Sequence, residues 1–404
     1  MKKHRMRVVK ILAALTCLLS ANGPATAFGQ GRDEPEKTFT VIGATTDPGF
    51  TSPLEKIDTV VQVGDDARNR FTMHRVYQPG RRGHQRGSII LLPHLIGSFR
   101  AYTFHESHDP MQSLAAKLAL AGFAVYGYSP RTANLPAGAC SSGAVDCSVM
   151  RDWGFSTYLS EIDYIRRQVA ENQDGKPAVG GFSLGGMLGV AAVNANPSGY
   201  SGLLLWDSIL YSEDPAVVAL NAGVCAQFKG AIEAGVYYNE ELANGVKFVA
   251  SQGEFLTTQV FGSPIPALGT PTFTILAPDE THTALKFSSF PRVFEFFMAT
   301  NNVESLAIQR DAQCSFAGDR TFTANLRKFK APVFAIKQGL GFGPYMQDTI
   351  DLMRSRNVRV QNNPAFGHQD AYNVADQETY VNGPILSWLD TDVFPKDDGD
   401  ENDN

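Results

Sequence analysis

The pentapeptide Gly181-Phe182-Ser183-Leu184-Gly185, followed by Gly186, restricts this chain more than any other feature. It stands between an apolar run, Pro177-Ala178-Val179-Gly180, and a small-residue segment, Met187-Leu188-Gly189-Val190-Ala191-Ala192-Val193. The run reads as a buried strand and the segment as a helix, so the serine falls on a sharp strand-to-helix turn. Glycines on both sides leave room for that turn. The helix N-terminus favours negative charge developing beside the serine. In this context Ser183 is a candidate nucleophile rather than part of a chance loop sequence.

The neighbouring sequence extends the same architecture. Val60–Val63 and Phe71–Tyr77 read as an antiparallel pair across the turn signal Gly64-Asp65-Asp66. Ser88–Leu92, Phe123–Tyr128, Tyr200–Trp206 and Pro332–Ile336 are near-continuous apolar runs, as expected of strands buried on both faces. Val358–Val360 is a short further strand. Helical spacing occupies Met111–Ala121, Tyr158–Val169 and Gly383–Leu389. Strands alternating with helices imply a mostly parallel sheet with helices on both faces. Residues 208–330 are helical in pattern and too long for a loop, so they read as a cap inserted into the sheet domain. The core is then 28–207 and 331–392. Residues 28–52, polar and Gly/Thr-rich, read as an irregular lead-in, and 393–404 as an acidic disordered tail.

The turn around Ser183, the strand order and a late histidine resemble the α/β-hydrolase superfamily, over most of residues 55–390 apart from the cap. The resemblance implies an α/β fold with a Ser-His-acid triad and an oxyanion held by two backbone N–H groups. One belongs to the residue after the serine, Leu184. The other follows the strand Ser88–Leu92, in Pro93-His94-Leu95-Ile96-Gly97-Ser98. Many members begin this loop with His-Gly. This chain has Pro93-His94, so Leu95 is the expected donor with Ile96 as the alternative, and His94 is read as shaping the loop. The expected base is His368, in Phe366-Gly367-His368-Gln369, after the last strand and before the last helix. An unperturbed imidazole titrates near 6.5, which suits proton exchange near neutrality. His282 lies in the cap and is read as structural or substrate-facing.

The acid departs from the commonest pattern. After Ile336 the chain reads Lys337-Gln338-Gly339-Leu340-Gly341-Phe342-Gly343-Pro344, without a carboxylate. Some members carry the acid one strand earlier, where Asp207 follows Trp206. Asp207 is therefore the expected acid. Asp348 and Asp370 are the carboxylates it displaces, and Asp370 is read as ordering the His368 loop.

The first residues read as an export signal: a basic start, an apolar stretch Ile11–Leu19, and Ala25-Thr26-Ala27 before a cleavage site at Phe28. The expected location is secreted or periplasmic, and no later apolar run is expected to be long enough to anchor the chain in a membrane. Removing 1–27 removes Cys17 and leaves four cysteines, which allow three pairings. Cys140 with Cys147 is the natural local pair, and Cys225 with Cys314 follows; four free thiols are the alternative. The net charge of −6 shows no basic excess of the kind that binds nucleic acid. No spacing suggests a metal site, and the triad chemistry needs no cofactor.

These features together point to a carboxylic-ester hydrolase acting on a small molecule. The same triad also serves amidases, peptidases and carbon–carbon bond hydrolases, and a catalytically silent binding protein is the alternative from another class. The phenylalanines of the cap, among them Phe255, Phe261, Phe273 and Phe297, read as cap packing or as an apolar substrate pocket.

Overall fold

The computed structural model describes residues 37–81, 85–136, 138–172, 174–265, 273–299 and 303–395. The proposed signal segment lies outside them, as does the acidic tail beyond residue 395. Among the described residues nine strands form one sheet in the order β1-β2-β3-β5-β4-β6-β7-β8-β9. The antiparallel end comprises β1 (Phe39–Thr46), β2 (Glu55–Val63) and β3 (Arg70–Tyr77). β3 pairs antiparallel with β5 (Phe123–Ser129). From there the ladder is parallel through β4 (Gly87–Leu92), β6 (Ala178–Phe182), β7 (Gly202–Trp206), β8 (Val333–Gln338) and β9 (Val358–Asn363). The central strands β4, β5, β6 and β7 are buried along their whole length, which is why their sequences are continuously apolar.

β1 corrects the irregular lead-in read from sequence. Residues 40–46 of it are exposed, and it joins the sheet through its backbone, from Phe39 opposite Val63 to Thr46 opposite Ile57. An edge strand with no buried face has no reason to alternate, so periodicity missed it. Two boundaries also move. The helix expected from Met111 begins at Leu114, because Ser113 caps it by accepting from the Ala116 N–H at 3.3 Å. Residues 393–395, assigned to the tail, belong to the fold: the Phe394 ring lies 5.9 Å from that of Phe123.

Helices pack on both faces of the sheet, and among the described residues five α-helices lie between β7 and β8, in the segment read from the sequence as a cap. Two of these, Pro215–Glu233 and Leu306–Phe316, are joined by the disulfide Cys225–Cys314; Cys140–Cys147 closes a loop after β5. The two bonds suit an oxidising compartment. Pro215–Glu233 bears on the expectation that no later run anchors the chain. By length and composition it is apolar enough to cross a membrane, with a hydropathy of 1.2. Its Val217, Asn221, Cys225, Phe228 and Ile232 form one buried face, the pattern of a helix packed against the rest of the fold.

Candidate active site

Three parallel strands end around one point. Ser183 follows β6 with φ 56°, in the left-handed region that only strain or glycine normally occupies. Its own N–H donates to the Trp206 carbonyl at 2.9 Å, and the helix Leu184–Ala195 starts immediately after it. The tight turn explains the flanking glycine: a Cβ on Gly185 would stand 2.0 Å from the Leu92 carbonyl oxygen. Asp207 follows β7, also at positive φ (39°), with its N–H on the Ile336 carbonyl at 2.7 Å. His368 sits on the loop after β9.

His368 joins the other two. Its Nε2 is 2.9 Å from Ser183 Oγ, and its Nδ1 is 2.6 Å from Asp207 Oδ2. Phe182 stacks on the imidazole at 4.6 Å between centroids, which fixes the ring plane. Asp207 is fully buried, and burial pushes its carboxyl upward. The bond from His368 opposes that shift, as do the N–H groups of Gln338 (3.0 Å) and Phe342 (3.2 Å), so three donors converge on the carboxylate. The glycine-rich turn after β8, where sequence found no acid, is what wraps Asp207. A Cβ on Gly341 would lie 2.2 Å from Asp207 Oδ2.

The other carboxylates serve elsewhere. Asp348, on the helix Met346–Asp351, accepts from the Ser212 hydroxyl and the Glu213 N–H. Asp370 accepts from the Gly367 and Ala277 N–H groups and the Ser288 hydroxyl, each at 2.7 Å, and so ties the His368 loop to the cap. Burial raises its carboxyl to about 6. Two cap carbonyls complete the clamp: Thr274 accepts from the His368 N–H and Ile275 from the Gln369 N–H, both at 2.7 Å.

The loop after β4 packs against the turn at Ser183, where a Cβ on Gly185 would meet the Pro93 carbonyl oxygen at 3.2 Å. The N–H groups of Leu184 and Leu95 make no hydrogen bond among the described residues. The Ile96 N–H instead faces His94 Nδ1 at 3.4 Å, and the Leu95 carbonyl accepts from the Glu304 N–H at 2.9 Å. His94 is buried, which lowers its pKa to about 3 and keeps it neutral. A residue that sequence reasoning passed over links this loop to the serine. The fully buried Tyr102 donates its hydroxyl to the Leu92 carbonyl at 2.6 Å and accepts from the Phe182 N–H at 3.1 Å. No pattern in the sequence marked it, because the contact exists only once β4 and β6 are paired.

His282 lies on an exposed turn of the cap. Phe261 and Phe297 pack on each other at 5.3 Å within the cap, Phe255 is exposed, and Phe273 approaches His368 at 5.5 Å.

Neither a family model nor a curated protein sequence matches this chain. Solved structures do. A candidate lipase from Sulfolobus solfataricus superimposes with a TM-score of 0.58 at 17% identity, over 88% of this chain and 99% of the other. A highly thermostable carboxyl esterase from Bacillus coagulans gives 0.52 at 16% identity, over 85% and 100%. The chain has the α/β-hydrolase fold. Within that fold Ser183, Asp207 and His368 all lie at the carboxyl ends of the parallel strands, the edge where open α/β sheets hold their ligands.

Proposed function

We propose that the chain is an exported serine hydrolase that cleaves carboxylic esters through an acyl-enzyme. The observation that carries this reading is the doubly bonded His368, held by Asp207 on one nitrogen and reaching Ser183 Oγ with the other. Asp207 accepts a hydrogen bond from the Nδ1–H group and keeps the proton on that nitrogen, which leaves Nε2 as the acceptor. His368 removes the Ser183 proton as Oγ bonds to the ester carbonyl carbon. The oxyanion is received by the Leu184 and Leu95 N–H groups. The imidazolium then protonates the leaving alcohol, and water, activated by the same histidine, releases the acid. The two disulfides and the basic, apolar first residues support export.

A fluorophosphonate reagent should label Ser183, and p-nitrophenyl esters of rising chain length should be hydrolysed faster than the matching anilides. Absence of labelling at Ser183 would favour a binding protein. Preference for the anilides would move the assignment to amidase.

A further inference from the structure

A cavity of about 520 Å³ opens on the β2–β3–β5 side of the sheet, and neither Ser183 nor His368 lines it. Three of its residues form a relay. His74, on β3, has Nδ1 2.7 Å from Asp58 Oδ1 on β2 and Nε2 2.7 Å from Ser129 Oγ at the end of β5. Asp58 accepts a hydrogen bond from the Nδ1–H group, so Nε2 is left to accept from the Ser129 hydroxyl. Phe99 stacks on the imidazole at 4.8 Å and fixes its plane. Lys56 Nζ holds the second oxygen of Asp58 at 2.7 Å. Hydroxyl, base, orienting carboxylate and a cavity of ligand size therefore coincide.

We propose that Ser129, His74 and Asp58 form a second reactive-serine site, which takes small esters bearing polar groups. Aromatic side chains (Phe50, Phe99, Phe104) and charged ones (Lys56, Arg100, Glu295) together line the cavity, a lining that suits such esters better than long alkyl chains. Ser129 Oγ bonds to the ester carbonyl carbon while its proton passes to His74 Nε2. The carbon–oxygen bond to the alcohol breaks, and the alcohol leaves with that proton. Water then adds to the acyl carbon, the bond to Ser129 Oγ breaks, and the acid departs. Two features make this site slower than Ser183. The Phe99 N–H donates to Ser129 Oγ at 3.1 Å and engages a lone pair that attack requires. Ser129 also lacks the helix N-terminus that follows Ser183, and such donors are worth on the order of 10²–10³ in rate.

Diisopropyl fluorophosphate reads the site directly. The Ser129 Oγ–P bond forms, the P–F bond breaks, the proton goes to His74 and fluoride leaves. The full mature chain carrying Ser183→Ala should acquire one adduct, mapped by peptide mass spectrometry to Ser129. The adduct should be absent from Ser183→Ala/Ser129→Ala and form about 100-fold more slowly in Ser183→Ala/His74→Gln. Should His74→Gln fail to fold, Asp58→Asn in the same background should show a slowed rate instead. No adduct at Ser129 after a day in millimolar reagent overturns the proposal, as does a rate indifferent to the relay variants. Because Ser129 is read without Ser183, the result stands whether or not Ser183 itself reacts.

Discussion

The sheet core supplies the candidate site with side chains, whereas the cap supplies it largely with main chain. Ser183, Asp207 and His368 stand at the ends of β6, β7 and β9, and side-chain atoms make their mutual bonds. The cap reaches the same point through the carbonyls of Thr274 and Ile275, the N–H of Ala277 and the N–H of Glu304. On the proposed function, side chains of the core carry the chemistry, and the backbone of the segment between β7 and β8 fixes position. The difference teaches where each kind of damage should appear. Core substitutions at the site should stop turnover and spare the fold. Cap substitutions should act first on stability.

The most severe test of that division is Ser183→Ala. Turnover of a p-nitrophenyl ester should fall on the order of 10⁶-fold, with the thermal midpoint within a few degrees of wild type. Any hydrolysis that survives should be sensitive to Ser129. A near-wild-type rate would remove Ser183 from the chemistry and collapse the comparison.

Asp207→Asn comes next. The amide would donate to His368 Nδ1 and leave the proton on Nε2, so His368 could no longer accept from Ser183. The expected loss is on the order of 10⁴-fold in turnover. Asp348→Asn, whose partners are Ser212 and Glu213, should stay close to wild type. A larger loss for Asp348→Asn than for Asp207→Asn would place the acid on the wrong strand.

The core was the more legible region for a physical reason. Strands buried on both faces must be apolar throughout, so β4 to β8 are visible as runs, and a serine between glycines marks the turn after β6. The candidate acid Asp207 was reachable only through the family resemblance, because the carboxylate usual after the strand ending at Ile336 is missing. β1 was not visible, because an exposed edge strand is held by its backbone. The same limit hid the cap's part in the site. Thr274, Ile275 and Ala277 act through carbonyl and N–H groups that every residue carries, so no side-chain pattern records them. Tyr102 and the Ser129–His74–Asp58 relay are invisible for another reason: each joins strands distant in sequence, and pairing alone brings them together.

The two disulfides sharpen the comparison on the stability side. Cys225–Cys314 spans 89 residues and staples the first cap helix to the last, whereas Cys140–Cys147 spans 7. In the chain-entropy treatment, their loss costs about 4.6 and about 2.4 kcal/mol respectively. Denaturant midpoints of the paired alanine variants should follow that order, with ester turnover at low temperature retained in both. Equal midpoints would mean that the cap keeps its structure in the unfolded ensemble.

The smallest expected effect tests whether a cap side chain can act through position alone. Glu304 is fully buried where its own N–H holds the Leu95 carbonyl. Burial raises its carboxyl to about 8, against the Tyr158 hydroxyl at 2.6 Å and the Thr132 hydroxyl at 3.2 Å, with Glu161 adding to the rise. In the unfolded chain a glutamate titrates near about 4.3. Below that value both states are protonated, and the contribution to stability is complete. Between about 4.3 and about 8 the unfolded chain releases the proton while the folded chain keeps it, so stability falls as pH rises. Above the folded value the loss is complete, on the order of a few kcal/mol. Glu304→Gln still accepts from Tyr158 and Thr132 but carries no charge at any pH. Its thermal midpoint should match wild type near about pH 5 and exceed it by several degrees near about pH 9. Because the Leu95 contact is made by the backbone, the variant should keep its turnover at both values. A midpoint difference that does not grow with pH would show that this carboxyl is already ionised in the folded chain. A loss of turnover without a change in midpoint would mean that the cap contributes a side chain to the chemistry after all.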